Sequence, residues 1–190
     1  MTAKIVHDTD IDADATHMME ELDQEVTALP QHPPIPVVKS KTLTVVVPSY
    51  NVESCLRRCT NSLLNCESTA DLEVIIVDDG STDGTPALAD SIAAISEGVI
   101  RVIHQKNKGH GGAVNAGIAA ARGLYIKIVD ADDWLDADAY AKVLSLLRTQ
   151  AVQTSPVDMI LTNYVYEKQA EDIQTVINYK HAIPAGRVLT

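Results

Sequence analysis

Apolar positions along this chain change period repeatedly after residue 42, and the changes divide it into elements. LTVVVP over 43–48, LEVIIV over 72–77, the run over 99–104 and LYIKIV over 124–129 are short and rich in β-branched residues, as strands buried on both faces are. Between them apolar residues recur at helical spacing. Leu56, Leu63 and Leu64 anchor a predicted helix over 53–65, and Thr85 with Pro86 reads as an N-cap and first helical position of a second, ending near 95. A third helix is predicted over 113–121, entered through the glycine-rich turn 107–112 and closed by Gly123 as a C-capping glycine. Asp136 can cap a fourth, running through Tyr140, Val143, Leu144 and Leu147. Two further strands are expected over 157–164 and 175–179, with a polar stretch over 168–172 between them.

Strands alternating with helices at short spacing predict an α/β fold of three layers, a mostly parallel central sheet flanked by helices. In such a sheet the loops after strands one to four emerge on one edge, where open α/β sheets bind ligands. Here those loops are Ser49-Tyr50-Asn51, Asp78-Asp79, 107–112 and Asp130 to Asp133, so every unusual polar cluster of the domain falls on that edge. The folded domain is expected over 42–190. Residues 1–29 read as an acidic, disordered tail, in which Met18, Leu22, Val26 and Leu29 could form one short amphipathic helix, and 30–41 as a proline-rich linker.

Composition narrows the partners. The chain has 190 residues, 46% of them hydrophobic, enough for one domain with a real core. Its net charge of -11 is concentrated in the first 29 residues, which carry eight acids and one lysine. No Lys/Arg stripe is present, which excludes a nucleic-acid partner on electrostatic grounds. No apolar run approaches the roughly 18–20 residues of a membrane helix, and the start lacks the pattern of a signal peptide, so a cytoplasmic protein is expected. Asp8, Asp10, Asp12 and Asp14 alternate as in a calcium loop, but the sixth position is Ala13 and the twelfth Met19, so calcium binding is discarded. The three cysteines, Cys55, Cys59 and Cys66, have neither a disulfide count nor zinc-site spacing and read as free thiols.

The edge loops carry the chemistry. Asp130, Asp132 and Asp133 crowd hard oxygen ligands at the end of a strand, and such groups repel one another unless a cation sits among them. Mg²⁺ is usually held by one or two carboxylates together with substrate phosphate oxygens. The alternative is a solvated acidic turn. The glycine-rich loop allows backbone N–H groups to approach an anion at a helix start, with Lys108 and His110 as further donors or as merely exposed residues. Tyr50 offers a flat face for a base, and Asp78 or Asp79 could accept the N–H of a pyrimidine ring, unless it caps the Gly80-Ser81 turn. A nucleoside diphosphate carrying a transferable group satisfies all four loops. A haloacid-type phosphatase does not fit, because its nucleophilic Asp would fall where Ser49 and Tyr50 stand.

VVVPSYN, VIIVDDGSTDGT, NKGHGGAVNAGIAAARG and IKIVDADDW, in this order and spacing, resemble the nucleotide-binding half of a family 2 glycosyltransferase of GT-A fold. The resemblance covers about 42–147 and continues more loosely to 190. It implies a nucleotide-sugar donor, most often a UDP-sugar, and transfer with inversion to a glycan or lipid-linked acceptor, which would bring the protein to the inner membrane face as a peripheral partner. By position, Pro48 and Tyr50 would line the base pocket, Asp79 would accept from uracil, and Lys108 and Gly109 would lie near the diphosphate. Asp130 and Asp132 would form the family's Asp-x-Asp pair, with Asp132 or Asp133 holding Mn²⁺ or Mg²⁺. The family's general base lies well downstream and is expected beyond Thr190, in an acceptor half largely missing from a chain cut short at its carboxyl end. Glu167, Glu171 and Asp172 are the late carboxylates present, in polar surroundings that suit a solvated loop. No Gln-x-x-Arg-Trp motif supports processive synthesis. The rival to a metal-dependent transferase is therefore a non-catalytic nucleotide-sugar-binding or assembly module lacking the base.

Overall fold

The computed structural model describes residues 41–168 and 173–177. The expected tail over 1–29 and all of the linker but Lys41 lie outside the described residues, as do Glu171 and Asp172. Two compact units divide at Ser155 and are taken separately.

The larger unit is built on a four-stranded sheet in the order β3-β2-β1-β4. Its strands are β1 (Lys41–Ser49), β2 (Leu72–Asp78), β3 (Ile100–His104) and β4 (Gly123–Ile128), and every pairing is parallel. The helices are α1 (Leu56–Leu64), α2 (Thr85–Ile95), α3 (Gly109–Ala120) and α4 (Ala137–Ala151). Steps from β1 to β2 to β3 move one way across the sheet, and the step to β4 returns past β1. Right-handed crossovers therefore put α1 and α2 on one face and α3 on the other. On the α3 face, Val46, Ile75 and Val77 pack with Ala113, backed by Ala116 and Ala120. The alternate positions Val45, Val47, Val74 and Ile76 are equally inaccessible, so both faces are covered as the uninterrupted apolar runs predict. Among the described residues no helix is long and apolar enough to cross a membrane.

Pro48 sits in a central strand, where proline is normally excluded. Strand carbonyls alternate in direction: Val46 accepts from Val129 on the β4 side and Ser49 accepts from Asp79 on the β2 side. Pro48 therefore faces β4, beyond the last β1–β4 pair at Val46↔Ile128, where no ladder bond is lost.

Several local expectations are corrected. Thr85 is the first residue of α2 rather than its cap; Asp83 accepts its N–H at 2.9 Å, and its own hydroxyl accepts from Val52 N–H at 2.8 Å. The glycine-rich segment is not a turn ahead of a helix at 113, because α3 already starts at Gly109. Packing of Ala113, Ala116 and Ala120 on the sheet outweighs the poor helix propensity of glycine. Gly123 is not a C-cap but the first residue of β4, and α3 ends instead at an extended Ala121. What satisfies that helix end is a buried polar group: Arg101 donates to Ala120 O at 2.9 Å, and Glu73 accepts from Arg122 N–H at 2.9 Å. Asp136 caps α4 as expected, accepting from Ala139 N–H at 2.9 Å.

Glu73 gives this arrangement a pH signature. Burial pushes its carboxyl up, but hydrogen bonds from Arg122 N–H and Thr44, together with the Arg101 charge, outweigh that and hold it below its ordinary range. A carboxylate lowered in the folded state adds stability above its unfolded pKa and loses it as pH falls through the folded one. The expected result is that Glu73→Gln is less stable than the parent at pH ~7 and that the gap closes towards pH ~3, read as urea midpoints. A gap independent of pH would show that the charge is not what Glu73 contributes.

The second unit contains an antiparallel hairpin of β5 (Tyr164–Lys168) and β6 (Ile173–Ile177). The strand expected over 157–164 is displaced, since residues 157–163 carry no strand and β5 begins only at Tyr164. A strand exists where a neighbour completes its ladder, and β6 pairs only with 164–168. Of the strand expected over 175–179, residues 175–177 lie in β6, which already begins at Ile173, and residues 178–179 lie outside the described residues.

Candidate functional site

The four parallel strands deliver their following loops to one edge, and in the order β3-β2-β1-β4 the strand order reverses between β1 and β4, which makes that gap the switch point of the sheet. Tyr50 leaves β1 half exposed, and Asn51 turns the chain through a left-handed conformation at φ 52°. Its Oδ1 accepts from Thr82 N–H at 2.8 Å, and its N–H donates to Ser81 Oγ at 3.0 Å, tying the first loop to the second.

The two acids that close β2 are divided in role. Asp78 Oδ1 accepts from Ser81 N–H at 3.0 Å and Oδ2 meets His104 Nδ1 at 2.8 Å. Burial pushes the Asp78 carboxyl up, yet His104 and Ser81 together hold it below its ordinary range. The same contact, followed by the one to Asp90, raises the His104 pKa. Asp79 ties the second loop to the third: its Oδ1 accepts from Gln105 Nε2 at 2.7 Å and from Lys108 N–H at 2.9 Å. Asp78 thus caps the turn, and Asp79 sits 2% exposed beneath the start of α3.

Lys108 is the N-cap residue of α3, and Gly109 follows at φ 76°. Apart from its own chain neighbours and helix backbone, no atom lies within 4 Å of where a Gly109 side chain would begin, and its N–H donates to the exposed Asn107 Oδ1 at 3.1 Å. A helix start leaves N–H groups without intrahelical acceptors and favours negative charge. At the next residue, His110 Nε2 meets Asp130 Oδ1 at 2.9 Å, joining the third loop to the fourth.

The fourth loop turns back on itself through Asp133 N–H to Asp130 O at 2.9 Å, which crowds Asp130, Asp132 and Asp133. Partial desolvation and the neighbouring charges of Asp132 and Asp130 raise the Asp133 pKa. Among the described residues no three or more His, Cys, Asp or Glu side chains are drawn together closely enough to hold a metal alone. The donors nevertheless suit a hard divalent cation, being carboxylate oxygens whose mutual repulsion a cation relieves. All three cysteines are free; burial, then the charge of Asp133, pushes the Cys59 thiol up to about 12, so it remains a neutral packing group.

The structure thus gathers Tyr50, Asp79, Lys108, Gly109, Asp130, Asp132 and Asp133 on one edge, with Pro48 buried at the end of β1 below them. Residues that sequence reasoning did not single out supply braces. Arg58 of α1 donates to Asp132 O at 3.0 Å and lies over the Trp134 ring at 4.0 Å, and Ser62 Oγ accepts from Leu135 N–H at 3.1 Å. Their spacing on α1 marks one helix face, but nothing local shows what that face meets.

The family model for glycosyl transferase family 2 matches residues 44–182. The uncharacterized glycosyltransferase EpsJ of Bacillus subtilis is 35% identical over 148 residues, covering 78% of this chain and 40% of its own length. Among solved structures, Staphylococcus aureus TarS 1-349 in complex with UDP-GlcNAc aligns at TM-score 0.52 and 26% identity, covering 58% of this chain and 32% of that one. The mannosyltransferase PcManGT of Pyrobaculum calidifontis, in complex with GDP-Man and Mn²⁺, aligns at TM-score 0.50 and 25% identity, over 69% of this chain and 41% of its own. The chain spans 36–40% of the length of the curated relatives it matches over most of its extent.

Proposed function

The chain belongs to glycosyl transferase family 2, and on that premise we propose that its carboxyl edge is the donor site for a nucleotide sugar, a UDP-sugar bound with Mn²⁺ or Mg²⁺. The observation that carries this reading is the joining of four loops by direct hydrogen bonds, Asn51 to Ser81 and Thr82, Asp79 to Lys108, and His110 to Asp130. Independent solvated turns have no reason to be braced to one another.

The residues divide the donor between them. Tyr50, with Pro48 beneath, presents a surface for the base. Asp79 holds one oxygen on the Lys108 and Gln105 donors and offers its carboxylate to a ring N–H. The Lys108 side chain and the uncrowded positive end of α3 at Gly109 meet the diphosphate, with the exposed Asn107 Oδ1 giving up the Gly109 N–H. Asp130, Asp132 and Asp133 hold the cation. When bound, a divalent cation neutralises charge that develops on a departing diphosphate. The acceptor, a glycan or glycolipid, and the base that deprotonates it belong to the whole protein's reaction, and none of the described residues is assigned to them.

The test is calorimetric titration of UDP and of GDP into the chain, each with and without Mn²⁺. Binding of UDP that requires Mn²⁺ is the expected result. Preference for GDP would overturn the uridine assignment of Tyr50 and Asp79, and no binding of either nucleotide would sink the donor site.

A further inference from the structure

Three side chains on one face of α1 hold the carboxylate loop, and each grips its backbone or its tryptophan while leaving the carboxylates untouched. Arg58 donates to Asp132 O at 3.0 Å and stacks on Trp134 at 4.0 Å. Cys59 Sγ lies 3.8 Å from Asp130 O, and Ser62 Oγ accepts from Leu135 N–H at 3.1 Å. Ser62 stands four residues after Arg58 and three after Cys59, the spacings that bring side chains to neighbouring positions on a helix surface. The loop they hold crowds three negative charges within four residues, an arrangement whose mutual repulsion drives the chain apart. Arg58 brings a positive charge to it from α1, beside that of Lys127 in β4. Its planar guanidinium can donate to a carbonyl and lie flat on an indole at the same time, which an ammonium does less well.

We infer that Arg58 is a positioning residue of the donor site, clamping the Asp130 to Asp133 loop through Asp132 O and Trp134 so that the carboxylates are preorganised for a cation. The inference deepens the donor-site reading and rests on it for its role, while the clamp itself is a separate structural claim. Outer groups that orient metal ligands typically govern metal affinity or activity by about 10- to 100-fold. The same range is expected here for Mn²⁺-dependent UDP affinity.

Trp134 is the only tryptophan of the chain, so its emission reports on the clamp directly. The experiment compares the parent with Arg58→Met, Arg58→Lys and Arg57→Met. Arg57→Met removes the same charge from an exposed neighbour whose side chain makes no hydrogen bond or ion pair to the loop among the described residues. Acrylamide quenching of Trp134, calorimetric UDP titration with Mn²⁺ and the thermal midpoint are measured for each. Expected are easier quenching and about 10-fold or more weaker UDP binding in Arg58→Met, partial recovery in Arg58→Lys, parental behaviour in Arg57→Met, and little change in midpoint throughout. Unchanged quenching in Arg58→Met overturns the clamp whatever the parent binds. Changed quenching with unchanged affinity, or equal weakening in Arg57→Met, overturns its role in the site. A parent that binds no nucleoside diphosphate overturns the donor reading instead, and the quenching still decides the clamp.

Discussion

Asp132→Asn is expected to lower Mn²⁺-dependent UDP affinity by about 100-fold, or ~3 kcal/mol, while leaving the fold intact. The two effects separate because of where the residue stands. Its side chain is exposed, and the contact Asp132 makes to the rest of the protein is through its backbone oxygen, which Arg58 holds at 3.0 Å. Asparagine keeps the volume and leaves that oxygen in place, so stability should stay within about 0.5 kcal/mol of the parent. Removing the Asp132 charge also relieves repulsion in the loop, since that charge is one of those lifting the Asp133 pKa. What is lost is a formal charge beside the cation. Calorimetry with and without Mn²⁺, paired with urea unfolding, reads both quantities. Parental affinity in a folded variant would make the cluster a structural turn. Asp130→Asn is the less clean substitution, because Asp130 also meets His110 at 2.9 Å.

Gly123→Ala is expected to destabilise the chain by about 3 kcal/mol. A Cβ at Gly123 would collide with Thr44 N and Leu43 C of β1 and with Tyr125 O of its own strand. Those are backbone atoms, which cannot move aside by changing rotamer. The same close approach lets Gly123 N–H donate to Thr44 Oγ1 at 2.8 Å, while Thr44 donates to Glu73 at 2.8 Å. An added methyl therefore strains the β1–β4 pairing and loosens the buried polar group that closes α3. The urea midpoint measures the loss. A variant within about 0.5 kcal/mol of the parent would mean that β4 can shift away from β1 at little cost.

How much was legible beforehand follows from range. The strands were readable from runs such as VIIV and VVVP because periodicity is a property of adjacent residues, and boundaries moved by only a residue or two in β1 to β4. The α4 cap was readable because Asp136 and Ala139 are three residues apart. Gly123 was misread because a glycine after a helical pattern looks the same whether it caps the helix or admits a neighbouring strand. Thr85 was misread because its hydroxyl serves Val52, 33 positions away.

The residue types and spacing of the four loops, and their common edge once the strands are parallel, were fixed by the chain's local pattern, and the family's motifs lie in those loops. Which of two adjacent acids caps a turn and which clamps a helix start, what ends α3, and which helix face holds the carboxylates were decided only by tertiary structure. Asp78 and Asp79 have the same chemistry and differ in direction by one strand position, so one meets His104 and the other Lys108 N–H. Arg58 and Asp132 are 74 residues apart, and only packing brings them together. A period of two or 3.6 is written in neighbouring residues, whereas a hydrogen bond between loops exists only after the sheet has set their distance.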